Sequence, residues 1–209
     1  MLKKIRWLAY GGIAVLLVAW GLIWSGMLIV GPGLTLRLGG ALQDGLSFNG
    51  VSIGGPFALV DTTGKTVTNA DYRGRFMLVY FGYTYCPDVC PTELQSVSTA
   101  LDLLGGDAAK IVPIFITVDP ERDTVKAMAE YVKLFDPRLV GLTGSPAQVD
   151  AAERAYRVYA AKVDSKTNSD YLMNHSSFIY LMGPDGRFIA LFRQGMSPQD
   201  IATSIKARL

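Results

Sequence analysis

From Trp7 to Val30 the chain carries 24 consecutive uncharged, mostly apolar positions, and no run of comparable length recurs downstream. As a helix rising ~1.5 Å per residue, such a run covers a hydrocarbon core of roughly 30 Å with some tilt. Lys3, Lys4 and Arg6 precede it and Arg37 is the first charge beyond it. That asymmetry predicts an anchor at 7–30 with the basic tail 1–6 in the cytoplasm and the remainder outside. The run exceeds the apolar stretch of about 7–15 residues in a secretory signal, and WSGMLIVGPG has no A-x-A cleavage pattern, so the anchor is expected to stay uncleaved. Trp7 and Tyr10 at one end and Trp24 at the other suit the two membrane interfaces. Residues 31–56, with many glycines and no sustained period, are expected to form a linker, followed by a folded domain over 57–209.

Within that domain the period changes repeatedly. FMLVYF at 76–81 and IFITV at 114–118 are continuously apolar, the pattern of strands covered on both faces. Pro113 cannot donate to a ladder and is expected to mark the start of the second strand. After the first strand Leu94, Val97, Leu101 and Leu104 fall on one helical face, and after the second Val125, Met128, Val132 and Phe135 do the same. Ser145-Pro146 with Gln148, and Ser197-Pro198 with Asp200, read as N-caps that open two further helices, the last over 197–209. SFIYLM and RFIALFR flank Gly183-Pro184-Asp185-Gly186, which predicts an antiparallel hairpin. Strand, helix, strand, helix, hairpin, helix is an α/β order with a mixed sheet and helices on both faces, and it suits a thioredoxin-like fold.

Charge and composition narrow the chemistry. Three of the 20 basic residues lie before the apolar run, leaving 17 basic against 18 acidic residues beyond it, so no basic field is present to hold a nucleic acid. Two cysteines and one histidine exclude a disulfide-dense scaffold, a four-cysteine zinc or iron–sulfur site and any site built on several imidazoles.

Cys86 and Cys90 sit in YFGYTYCPDVCPTELQ, between a buried strand and an amphipathic helix. Their i, i+4 spacing lets both sulfurs face one way, close enough to grip one ion or, with adjustment, to bond to each other. A plain structural disulfide is the ordinary fate of two cysteines in an exported domain, but a bridge closing so short a loop stabilises little. Asp88 and Glu93 read as solvated charges, Glu93 also suiting the first helical turn; negative charge beside a thiol opposes thiolate formation. His175, in YLMNHSSFIYL just before a strand expected at 177–182, belongs at the same end of the sheet as the thiols. Two thiolates and one imidazole form a soft set suited to Cu(I) and acceptable to Cu(II), whereas structural zinc wants a fourth protein ligand. Asp119 before Pro120 reads as an N-cap, and Tyr83, Tyr85 and Met173 as packing residues beside the site.

The CPDVCP loop after an apolar strand, DPERDT at 119–124 after the next strand, and the lone histidine before a strand and a GPDG hairpin together resemble the Sco/SenC family. The resemblance covers nearly the whole chain. It implies a membrane-tethered, thioredoxin-like copper-binding protein that helps assemble the dinuclear copper centre of cytochrome c oxidase subunit II. It places Cys86, Cys90 and His175 as ligands of one copper ion, obtained from a copper donor. It equally allows a thiol-disulfide role in which Cys86 and Cys90 are a redox-active pair, reducing that subunit's cysteines and served by a thiol reductase. Peroxiredoxins and thiol reductases carry a proline where this chain has Asn174 to Ser176, which favours metal. The implied location is the bacterial inner membrane with the domain in the periplasm, or the equivalent mitochondrial topology.

Overall fold

A computed structural model describes residues 53–164 and 171–209. The expected tail, the anchor and all but the end of the expected linker lie outside these residues, and among the described residues no helix is long and apolar enough to cross a membrane. Nine strands are described: β1 Ala58–Asp61, β2 Thr66–Thr68, β3 Phe76–Gly82, β4 Ile111–Thr117, β5 Val140–Thr143, β6 Ala160–Val163, β7 Leu172–His175, β8 Ile179–Met182 and β9 Phe188–Phe192. Four α-helices accompany them: α1 Val89–Leu104, α2 Val125–Val132, α3 Pro146–Tyr156 and α4 Pro198–Lys206. Seven strands form one mixed sheet in the order β2-β1-β5-β4-β3-β8-β9, and β6 and β7 form a separate antiparallel pair.

Strands β3, β4 and β5 run parallel, with β8 and β1 antiparallel on either side. β3 is buried along its whole length, as its unbroken apolar sequence requires when helices cover both faces. Tyr80, Phe115, Gly82 and Gly141 share the face that meets Cys90 of α1 and Tyr131, Met128 and Val132 of α2. Phe81 points the other way, onto Tyr156 of α3. The two crossovers β3 to β4 to β5 run in one direction across the sheet and put α1 and α2 on one face; the chain then reverses to reach β8 and leaves α3 on the other.

The expected caps form. Ser145 accepts from the Gln148 amide and the Gln148 side chain returns to the Ser145 amide, while Ser197 accepts from Asp200. Gly183 to Gly186 closes the β8–β9 turn, with Gly186 at φ 75°, a backbone that suits glycine. Three expectations need correction. Pro113 lies inside β4, opposite Leu78, rather than at its start. β5 pairs only from Ile114 onward, so one flank of Pro113 has no ladder to break. Helix α2 begins at Val125, capped by Thr124, whose hydroxyl accepts from Ala127. Asp119 is therefore not a cap; its segment is a separate turn. The strand expected at 177–182 is shorter, Ile179–Met182, because pairing with β3 and β9 starts only at Ile179. Packing also reaches back to Ile53, which is buried, and to Gly54, whose amide donates to Ala155.

Candidate metal centre

The carboxyl end of β3 delivers the chain into Tyr83 to Asp88, and α1 begins immediately after it. Cys86 donates its amide to the Tyr83 carbonyl in a turn, and Cys90 is the second residue of the helix. Pro91 fits the first helical turn because an amide there has no intrahelical partner. Gly82 lets the helix approach: a β-carbon there would stand 2.8 Å from the Cys90 sulfur and 2.9 Å from Phe115 Cε2. His175 arrives from the far end of the chain. β8 runs antiparallel to β3, with Ile179 opposite Tyr80, so the segment before β8 emerges at the end of the sheet where β3 stops. β7 ends on His175, opposite Ala160, and Ser176 donates its amide to the Tyr159 carbonyl.

The ligand atoms of Cys86, Cys90 and His175 all lie within 4.8 Å of one another, with Cys90 buried and the other two partly exposed. The thiols are free. His175 Nε2 stands 3.5 Å from Cys90 Sγ, and its Nδ1 is 3.2 Å from the Ser176 carbonyl oxygen. A carbonyl can only accept, so Nδ1–H donates there, and Nε2 is the ring nitrogen that faces the sulfurs. Tyr83 and Tyr80 meet the imidazole in T-shaped contacts, with centroids 5.8 Å and 6.3 Å away. The three donors are soft or borderline and converge on one point, as a copper ion requires.

The two thiols differ sharply. Hydrogen bonding from Cys90 first, and contact with His175 next, bring the Cys86 thiol down to about 4 against the opposing effect of burial. The Cys90 amide also donates to Cys86 Sγ at 3.3 Å. Cys90 moves the other way: its bond to Cys86 and its burial keep it protonated well above the ordinary thiol range. The expectation that nearby acids oppose thiolate formation thus fails for Cys86: burial is what opposes it, and the backbone at Asp88 helps to lower it.

Other candidates fall into place unevenly. Asp88 is exposed, as expected, and is the N-cap residue of α1. Glu93 is not a solvated charge: it is 2% exposed, one turn beyond Cys90, and accepts from the Gly195 amide at 2.8 Å. Burial pushes its carboxyl upward. Met173 packs against the core, Tyr83 is buried and Tyr85 is exposed. Sequence reasoning missed Arg122 and Asp123. Asp123 accepts from the Thr84 amide, the Thr84 hydroxyl and the Thr117 hydroxyl, and its carbonyl accepts from Thr143. The only sequence signal for this hub is the run of charged residues in DPERDT directly after a buried strand.

A thioredoxin-like domain with two thiols and an imidazole at the end of its central strand is the class of protein that fold and site define. The SCO1/SenC family model matches residues 48–209, and the chain belongs to that family. Human "Protein SCO1 homolog, mitochondrial" is 45% identical over 159 residues, 75% of this chain and 53% of that protein. The chain thus spans about half the length of such relatives. Among solved structures, Bradyrhizobium japonicum ScoI with copper bound is 49% identical, with a TM-score of 0.69 over 75% of this chain and 99% of that one. Yeast Sco1 with copper bound is 37% identical, with a TM-score of 0.69 over 75% of this chain and 88% of that one.

Proposed function

We propose that this chain is a membrane-anchored copper chaperone that holds one copper ion on Cys86, Cys90 and His175 and delivers it to the dinuclear copper centre of cytochrome c oxidase subunit II. The observation that carries the reading is the convergence of those three donor atoms within 4.8 Å. Copper-bound relatives at 49% and 37% identity support the choice of ion. The description of the Sco family as cytochrome c oxidase assembly proteins supports the destination.

Copper is cargo, so the chemistry is ligand exchange rather than turnover of a small molecule. Cys86 already favours the thiolate, whereas Cys90 must give up its proton when the ion enters and regain it when the ion leaves. Two thiolates suffice for Cu(I), and the imidazole extends the set to Cu(II). An acceptor thiol approaches from the side of the partly exposed Cys86 and displaces it before the buried Cys90. In this reading residues 1–6 are a cytoplasmic tail, 7–30 the anchor, 31–56 a linker and 57–209 the domain. The domain works outside the bacterial inner membrane, or in the equivalent mitochondrial topology. A copper donor, and a thiol reductase to keep the pair reduced, complete the cycle. Full-length chain in detergent is expected to bind one copper ion, with sulfur-to-copper charge transfer in the Cu(II) form; no binding by the reduced protein ends this reading.

A second reading is favoured by the contrast between the thiols. A partly exposed thiolate beside a buried protonated thiol is the arrangement of a dithiol reductant, so the pair also fits a thiol-disulfide oxidoreductase acting on the oxidase subunit's cysteines or another periplasmic protein. Redox titration decides it: a pair that neither forms a reversible disulfide nor exchanges with a model disulfide is no oxidoreductase.

A further inference from the structure

The site stands on two arms that are separate in the chain. Cys86 follows the Tyr83 to Tyr85 turn, and His175 ends the strand that starts at Leu172, one residue after Tyr171. A third segment, the Asp119 to Asp123 turn after β4, touches both. On the cysteine side, Asp123 holds the Thr84 amide at 3.0 Å and its hydroxyl at 2.6 Å. The Arg122 guanidinium lies 4.7 Å from the Tyr85 ring centroid and 5.8 Å from that of Tyr83. On the histidine side, the same guanidinium lies 3.8 Å from the Tyr171 ring and donates to the Tyr171 carbonyl at 3.0 Å. Asp119 fixes it from below, accepting from Arg122 Nε through one oxygen and from the Tyr171 hydroxyl at 2.8 Å through the other.

Resting on the copper reading above, we propose that Arg122 is a positioning residue that holds the histidine-bearing strand against the cysteine loop, so that the imidazole stays within reach of an ion on the two sulfurs. Among the described residues its guanidinium hydrogen-bonds only to Asp119 and Tyr171 and lies over aromatics from both arms, and all of these partners sit in the segments that flank the site rather than in the sheet strands. The Arg side chain suits the task because a planar, permanently charged fork can stack and donate at once, which an ammonium cannot. Tyr83, whose hydroxyl meets the Met173 backbone, gives a second and direct link between the arms, so losing Arg122 loosens the strand rather than freeing it.

The two oxidation states of copper separate this role from a general structural one. Cu(I) is satisfied by the two thiolates, whereas the imidazole matters for Cu(II). In the full-length chain, Arg122→Gln is expected to weaken Cu(II) binding by about tenfold, the scale on which residues that orient a ligand act. Its charge-transfer spectrum is expected to move toward that of His175→Ala, with Cu(I) affinity nearly unchanged. Arg122→Lys should behave like the glutamine variant. Tyr171→Ala removes the other half of the contact from a partly exposed position, and the double variant should be no weaker than the weaker single one, because both delete one shared interaction. In the metal-free protein, amide exchange across Leu172 to His175 should accelerate in both variants. Unchanged Cu(II) binding and unchanged exchange in both would overturn the proposal, as would equal losses of Cu(I) and Cu(II) accompanied by a fall in Tm. Wild-type chain that binds no copper would end the parent reading, while the exchange measurement would still decide whether Arg122 holds the strand.

Discussion

The Nε2 nitrogen of His175 lies 3.5 Å from the sulfur of Cys90, although 85 residues separate the two in the chain. This juxtaposition distinguishes a metal-binding pair from a plain dithiol. Replacing the imidazole leaves both sulfurs in place, so His175→Ala should lower Cu(II) affinity by about a hundredfold and bleach or shift the sulfur-to-copper band, while Cu(I) binding persists. Competitive titration with each oxidation state checks it; equal Cu(II) affinities for variant and wild type would remove His175 from the site.

The contrast between the two thiols predicts selective alkylation. Cys86 is held at about 4 chiefly by the Cys90 thiol, so its reaction with iodoacetamide should stay nearly flat from pH 8 to pH 6 and fall only as the pH approaches 4. Cys90→Ala removes the principal cause, and the inflection should climb toward the ordinary thiol value of about 8.5. Mass spectrometry of the modified peptide reports the site, and preferential labelling of Cys90 would contradict the assignment.

Glu93 gives stability an inverse pH dependence. Its carboxyl is raised by burial, partly offset by the Gly195 amide, and its second oxygen is buried without a partner. A carboxyl with a raised folded-state value holds its proton in the native protein after the unfolded chain has lost it. Stability therefore declines as pH rises from the unfolded value of about 4.3 through the folded one, and the penalty persists at neutral pH. Glu93→Gln keeps an acceptor for Gly195 and should raise Tm at pH 7, with the advantage shrinking as the pH falls to about 4. Thermal melts across that range measure it, and a lower Tm at pH 7 would refute it.

Asp123 ties together the ends of three strands, through Thr84 after β3, Thr117 in β4 and Thr143 in β5. Asp123→Ala strands buried donors and should cost about 3 kcal/mol in urea unfolding. A loss below about 1 kcal/mol would mean that the hydroxyls find other acceptors.

Gly82→Ala tests the approach of α1 to the sheet. The added methyl collides with the Cys90 sulfur and with Phe115, so a loss of about 1–3 kcal/mol is expected from overpacking, together with displaced Cys90 and weakened copper binding. Unaltered stability and copper affinity would show that the helix can shift without disturbing the ligand.

Local chemistry made much of the fold readable before any coordinates. The apolar run Phe76 to Phe81 announced a doubly covered strand because no half-exposed strand tolerates such a sequence. Ser145 and Ser197 announced their helices because a hydroxyl followed by proline and an acceptor meets the needs of orphan amides within four residues. Pro113 misled because its cost depends on whether a neighbouring strand pairs there, and β5 begins only one residue later. Glu93 misled for a similar reason: whether a carboxylate is solvated depends on the Gly195 loop, 102 residues away.

The sequence by itself determined the strand that ends at the two cysteines and the helix that follows, since each rests on residues within a few positions of one another, and it offered His175 only as a candidate third donor. Tertiary structure alone decided that β7 pairs with β6, that His175 meets the sulfurs, that Arg122 touches both arms of the site and that Asp123 ties the cysteine arm to the neighbouring strands. Those facts arise from antiparallel register and from charges buried between distant segments, where energy depends on what lies across the gap, and no local pattern of residue types encodes that.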